Sequence, residues 1–211
     1  RSLSVYPREW AAHLNYAGVL GGDLELDEAA FHLRVAQGLE PRREVDRQQI
    51  SGLLLFAELL RAGMPEPVIA EYGTRYQDGI ESGRTLSGLA LELAAAGLAE
   101  PAIVVMRRAE EIGAPPAAPY LVRGTLAGRE DQWARSLWLA ERGLQVVPDD
   151  PNLLTLECMA LLKLKQSEAA LGVAARLAAM MPGTDPVDIL REIAGVGARR
   201  PNMRRPPPAG P

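Results

Sequence analysis

The stretch that decides the fold runs from Ala62 to Ile69 and reads AGMPEPVI. It recurs as AGLAEPAI from Ala96 to Ile103, at an offset of 96 − 62 = 34. Two later apolar segments end in Val147-Pro148 and Met181-Pro182, and their prolines show the same offset, since 182 − 148 = 34. A fixed period of this length is the signature of a repeat architecture, in which each unit is one supersecondary element that stacks on its neighbours.

Small residues keep the same phase. They form two series with this period: Ala90, Gly124 and Cys158, and then Ala102, Ser136 and Ala170. Alanine and leucine are abundant, whereas aromatic residues make up only 5% of the chain, a balance that favours helices over strands. Apolar periodicity, interrupted by glycine and proline, predicts ten helices near 8–21, 26–39, 47–62, 66–77, 83–96, 99–112, 117–127, 130–146, 151–164 and 167–180.

A final helix is predicted near 185–194, with Asp185 as its N-cap. This helix would cover the exposed face of the last helix pair, as the terminal element of a stacked array has to do. Residues 195–211 are rich in arginine and proline, and we expect this tail to be disordered or extended unless a partner orders it.

A 34-residue unit with small residues at fixed positions and a closing proline resembles the tetratricopeptide repeat (TPR) family. The first unit carries that pattern as Ala17, Ala29, Ala36 and Pro41. The resemblance implies an all-α, right-handed superhelical solenoid of about five helix pairs over residues 1–194. Its units would span 10–43, 49–82, 83–116, 117–150 and 151–184, followed by a C-terminal capping helix at 185–194 and the extended tail at 195–211.

The second unit departs most from the family pattern. It has Phe56 and Val68 where small residues are expected, and Arg75 at the third such position. The phase also slips between Ala17 and Phe56, whose offset is 56 − 17 = 39, so five extra residues are expected around 42–46. We therefore expect the helix packing of this unit to differ from that of the others.

The chain contains little material for catalysis. Cys158 is the one cysteine, and His13 and His32 are the two histidines, which excludes an internal disulfide and a multi-cysteine zinc site. We expect His13 to pack or cap, His32 to form a surface i, i+4 pair with Glu28, and Cys158 to act as a small buried hydrophobe. The chain is accordingly predicted to be no enzyme and to hold no cofactor or metal, with an enzyme acting through His13 or Cys158 as the alternative.

The family resemblance also implies a binding surface. In TPR proteins the first helix of each unit lines a concave groove, and the corresponding large apolar residues here are Leu53, Leu60, Leu91, Leu121 and Met159. A helix or an extended apolar segment of another protein is the ligand that such a groove favours. The predicted function is therefore a non-enzymatic protein-protein interaction scaffold, a subunit of a larger complex. The alternative for this face is that part of it is buried within the superhelix itself.

Two tryptophans lie five residues apart in the predicted helix 130–146 and therefore point to different faces. Trp138 is predicted to belong to the core. Trp133 is a candidate anchor for a partner, because indole groups are enriched at binding hot spots, with core packing as the alternative.

The net charge of −4 is unevenly distributed. The tail holds Arg199, Arg200, Arg204 and Arg205 and no acid, so the remaining residues carry −4 − 4 = −8. An acidic body is a poor match for a phosphate backbone, and nucleic acid is therefore not an expected partner. The four arginines are candidate contacts for an acidic partner or an anionic membrane.

The opening segment favours an alternative function. Residues 7–15 read PREWAAHLN, which is similar to the Pro-x-x-Trp-x-Ala-His-x-Asn start of TPR regions that follow multispan glycosyltransferase-like proteins in bacteria. This resemblance implies a repeat region on the extracytoplasmic side of a bacterial membrane, whose catalytic part is not in this chain; a cytoplasmic location is the alternative. No apolar run reaches the roughly 18 residues that span a bilayer, so a membrane span would have to come from a partner or from a region before Arg1.

Deleting residues 199–211 is expected to leave the melting temperature of the isolated protein unchanged, because a charged, proline-rich terminus adds little to a helical core. Assembly with a partner should weaken, and the loss should be largest at low salt, where the arginines are least screened. Thermal melts and binding measured at two salt concentrations check both points. A lower melting temperature with intact assembly would mean that the tail is an intramolecular strap.

Overall fold

The computed structural model describes residues 9–22, 25–76, 82–181 and 183–198, and these ranges contain eleven helices and no strand. In chain order the helices are α1 (Trp10–Gly22), α2 (Leu26–Gly38), α3 (Glu44–Arg61), α4 (Glu66–Tyr76), α5 (Gly83–Ala96), α6 (Ala99–Glu111), α7 (Ala118–Arg129), α8 (Trp133–Val146), α9 (Pro151–Lys163), α10 (Ser167–Met180) and α11 (Pro186–Ala198). The all-α class expected from composition and periodicity is confirmed.

The helix boundaries agree closely with the ranges predicted from the breakers. Asp185 acts as the expected N-cap of α11, since its Oδ1 accepts a hydrogen bond from the backbone N–H of Val187 at 2.7 Å. The same helix continues to Ala198, so residues 195–198 belong to it and not to the tail that was predicted to start at 195.

The turn between paired helices repeats with the period seen in the sequence. Its central residue has a positive φ angle at Gly63 (78°), Gly97 (82°), Asp131 (57°) and Lys165 (61°). The N–H of the following residue donates to a carbonyl five residues earlier, in the bonds Met64 to Leu59, Leu98 to Leu93, Gln132 to Ala127 and Gln166 to Leu161. This is the bond of a Schellman motif, which ends a helix by satisfying a free carbonyl. Because this turn recurs every 34 residues, the backbone conformation has the same period as the sequence.

The turn of the first pair has the same hydrogen bond, but it is 39 residues from the next turn, where the other turns are 34 residues apart. The N–H of Glu25 donates to the carbonyl of Leu20, and the offset from Glu25 to the equivalent Met64 is 64 − 25 = 39. The five extra residues enter the start of α3, where the guanidinium of Arg43 donates to both carboxylate oxygens of Asp46 at 2.8 and 2.7 Å. Helix α3 has 18 residues, whereas the later first helices α5, α7 and α9 have 14, 12 and 13, which agrees with extra residues near the start of α3.

Small residues occupy the closest approaches between helices. Five members of the two series have no solvent exposure, namely Ala90, Cys158, Ala102, Ser136 and Ala170. At Gly124 an added Cβ atom would stand 2.5 Å from Cδ2 of Leu156, and at Gly143 one would stand 2.6 Å from Cδ1 of Leu153. These positions have no room for a larger side chain unless a neighbour moves.

Helices pack mainly against their neighbours in the chain. The two helices of a pair contact each other, each second helix contacts the next first helix, and the first helices α5, α7, α9 and the cap α11 contact one another in turn. Three clusters of buried apolar side chains lie along this row, spanning α1–α3, α3–α7 and α7–α11. Because α3 and α7 each contribute to two clusters, they connect the array into a continuous structure.

Helix α4 is the exception to this regularity. Its contacts with α3 and α5 are sparse, and α3 instead packs directly against α6, the second helix of the next unit. Phe56 and Val68 are half-buried at the two positions where the other units have small residues. Their larger volume prevents the close approach seen elsewhere, as expected from the departure of the second unit from the family pattern.

Replacing Ala170 with leucine should lower the free energy of unfolding by about 1–3 kcal/mol, because the new side chain has to force α9 and α10 apart. Ala169→Leu is the matched control, since Ala169 lies next to it on α10 and is exposed. Chemical denaturation monitored by helicity gives both free energies. Equal stability of the two variants would show that the repeat phase is misassigned.

Candidate functional site

The apolar residues predicted to bind a partner lie on the first helices of units two to five. Leu53 on α3 is 41% exposed. Leu60 and Leu91 are half-buried against the α3–α7 cluster, and Leu121 and Met159 are half-buried against the α7–α11 cluster. All five side chains therefore keep part of their surface open, and the four half-buried ones also pack against the core.

Other positions on the same helix faces are closed. Ile50 and Ala57 on α3, Ala94 on α5 and Ala118 on α7 are all buried. The alternative that part of this face is buried within the array is confirmed for these positions. The open apolar surface is consequently narrower than the face that the family resemblance implies.

Trp133, at the start of α8, is half-buried between three helices. An added Cβ atom at Gly128 on α7 would stand 2.9 Å from ring atom Cζ3, so the indole covers this glycine. Lys163 of α9 places its Nζ 5.6 Å from the ring centroid. This environment favours the packing alternative for Trp133, and it leaves only part of the indole for a partner.

The prediction that Trp138 belongs to the core is wrong, because this side chain is 53% exposed. Arg142, one turn later on α8, places its guanidinium carbon 5.5 Å from the centroid of the ring. The buried residues of α8 form one stripe with steps of three and four residues: Ser136, Leu139, Ala140, Gly143 and Leu144. Trp138 falls outside that stripe and therefore faces solvent.

The two histidines, which were expected to act separately, form a buried pair. His13 on α1 and His32 on α2 place their Nδ1 atoms 2.8 Å apart, and both side chains are buried. Tyr16 and Phe31 each meet the ring of His32 edge-on, with centroid distances of 4.8 and 5.2 Å. The expectation that His32 lies on the surface is wrong, because its ring turns towards α1.

The bond between the two rings constrains their protonation. One Nδ1 has to donate and the other has to accept, so the pair tolerates one proton between these atoms but not two. Burial lowers the pKa of His32 below its ordinary value of 6.5, and the nearby His13 lowers it further, whereas Glu28 opposes the shift. The pair is thus a polar contact that is stable near neutral pH, and its burial opposes the protonation of His32.

Cys158 has the environment expected of an inert thiol. It is fully buried, and its Sγ lies 3.7 Å from the carbonyl oxygen of Ala170. Burial, with a contribution from the adjacent Glu157, raises the pKa of the thiol to about 11. Since the thiolate is the nucleophile, this position agrees with the packing role predicted for Cys158.

Glu157 is a polar residue that the sequence did not single out. Its Oε2 atom is buried without a hydrogen-bond partner, and the nearest cation is Arg176, whose Nη1 lies 4.0 Å away. Burial raises the pKa of this carboxyl, Arg176 opposes the shift and Glu141 adds to it. The sequence did contain a signal for the partial burial of Glu157. This residue directly precedes the buried Cys158 on α9, so its side chain lies at the edge of the buried helix face.

Arg199, Arg200, Arg204 and Arg205, the predicted tail contacts, lie outside the described residues. Within the described ranges no three histidine, cysteine, aspartate or glutamate side chains are arranged to hold a metal ion. None of the helices in those ranges is both long and apolar enough to cross a membrane.

No known protein family and no curated protein matches this sequence.

Acidification should destabilise the histidine pair. Below pH 6.5 the unfolded chain takes up a proton on His32 that the folded chain resists, so the free energy of unfolding should fall as the pH drops from 6.5 towards the lowered pKa. Denaturation between pH 7.5 and 5 measures this slope.

The matched control for that measurement is His32→Asn, which keeps a hydrogen-bonding atom near the Nδ1 position but does not titrate. Its stability should depend less on pH than that of the original chain over the same interval. Parallel curves for the two proteins would exclude His32 as the source of the slope.

Proposed function

We propose that the chain is a TPR-like array of five helix pairs with a C-terminal cap, wound as a right-handed superhelix, and that it acts as a non-enzymatic protein-protein interaction scaffold. The 34-residue period of the turns supports the repeat assignment. The observation that carries the function is the set of large apolar side chains that stay partly open on the first helices.

The partner suited to this surface is a helix or an extended apolar segment. Leu53 is exposed on α3, and the half-buried Leu60, Leu91, Leu121 and Met159 continue the apolar character on α3, α5, α7 and α9. An amphipathic helix inserts large side chains at intervals of three and four residues into such shallow apolar sites. Buried residues separate these partly exposed side chains along the first helices. We therefore expect the partner to bind through a few anchor residues and not through a continuous apolar contact.

Placing charge on the open surface should abolish partner binding. Leu53→Glu changes an exposed residue and should leave helicity intact, while Leu91→Glu combined with Leu121→Glu disrupts the surface on two further helices. The matched control is Leu171→Glu, because Leu171 is also exposed but lies on α10, a second helix.

The measurement is capture of partners from the native organism, followed by binding of the identified partner to each purified variant. The proposal predicts loss of binding for Leu53→Glu and for the double variant, with retention by Leu171→Glu and normal circular dichroism throughout. Retention by Leu53→Glu together with loss by Leu171→Glu would place the partner on the second helices instead.

A further inference from the structure

A cleft with a volume of about 320 Å³ opens between α2, the C-terminal end of α3 and α6. Small-molecule sites commonly have volumes of roughly 300–1,000 Å³, so this cleft suits a small ligand. Its lining is unusually charged, with four arginines and three glutamates. It is separate from the apolar surface of the first helices.

Two of these arginines form its fixed wall. Arg34, which is 58% exposed, lies 2.5 Å from Glu58, which is 9% exposed, and Arg108, which is 10% exposed, lies 3.2 Å from Glu111, which is 57% exposed, so each pair has one buried partner. Partly buried, charge-assisted hydrogen bonds hold side chains more firmly than solvated pairs do. The cleft is therefore built on ordered charged groups.

Arg61 and Arg107 are the two exposed arginines of the cleft that no buried carboxylate among the described residues holds. Arg61 pairs at 2.6 Å with Asp27, whose carboxylate is 85% exposed, and such a solvated pair contributes little. Arg107 is exposed and forms no ion pair within the part of the chain that the structure describes. Two exposed arginines from different helices, α3 and α6, thus line one cleft.

The cleft lies where the repeat is broken. It is bounded by α3 and α6, the two helices that contact each other because α4 is loosely packed. Departures from a locally consistent pattern occur preferentially at functional sites. The position and the charge of the cleft are independent observations, and both indicate a ligand site.

We propose that this cleft binds a small phosphomonoester. Such a group carries a charge of about −1.5 to −2 near pH 7, the four arginines of the cleft outnumber its three glutamates, and arginine forks match phosphate oxygens. Glu100 and Glu111, which also line the cleft, accept hydrogen bonds from hydroxyl groups of the same ligand. Arg61 exchanges its solvated partner Asp27 for the phosphate.

Isothermal titration calorimetry of the full chain with glucose 6-phosphate tests this proposal, with glucose, inorganic phosphate and succinate as comparison ligands. One saturable site for glucose 6-phosphate, competition by inorganic phosphate and no heat with glucose are expected. Arg107→Gln should weaken binding at least about tenfold, because a charge-assisted hydrogen bond is lost. Arg135→Gln, at an exposed arginine of α8 outside the cleft, should bind as the original chain does.

Three outcomes would overturn the proposal. They are the absence of binding by the original chain, an equal loss of affinity in Arg107→Gln and Arg135→Gln, and succinate binding as tightly as glucose 6-phosphate. Because both arginines are exposed, neither change should affect folding, and circular dichroism of the variants verifies this.

Discussion

The second to fifth helix pairs depend on one backbone arrangement, a left-handed residue followed by an N–H that donates to a carbonyl five positions earlier. Glycine provides the positive φ angle at Gly63 and Gly97, but Asp131 and Lys165 adopt it as well. A non-glycine residue in this region carries a cost of roughly 1–2 kcal/mol, so the bonds and packing around each turn have to offset it. The turn fixes where the second helix starts, and the small residues then determine how closely it lies against the first.

The second unit keeps the turn geometry but lacks the small residues, so it shows the effect of one without the other. Its turn at Gly63 is the same as in the other units, yet Phe56 and Val68 keep α3 and α4 from packing tightly. As a result α3 meets α6, and the charged cleft opens beside that contact. A local change in side-chain volume has therefore created a surface that a regular array would not have.

The helices, the repeat period and the inserted turn could all be predicted, because each depends on local chemistry or on spacing along the chain. Trp138 was misassigned because its neighbours in sequence were taken as its neighbours in space, whereas the buried stripe of α8 runs through Ser136 and Leu139. The His13–His32 pair was missed, although His13 lies nine residues before the end of α1 and His32 six residues after the start of α2, so an antiparallel pair brings them near each other. The ion pairs of the cleft were beyond sequence reasoning, because they depend on the α3–α6 contact, which arises from irregular packing.

The division of the core into three clusters has a consequence for cooperativity. In a stacked array, stability is approximately the sum of the units and of the contacts between adjacent units, so a weak contact separates blocks that unfold independently. The regular contacts from α5 to α11 form one such block, whereas α1, α2 and α3 are joined to it through α3 and the sparsely packed α4. We therefore expect the amino-terminal helices to open at a lower free energy than the remainder, so that unfolding would pass through a partly folded state.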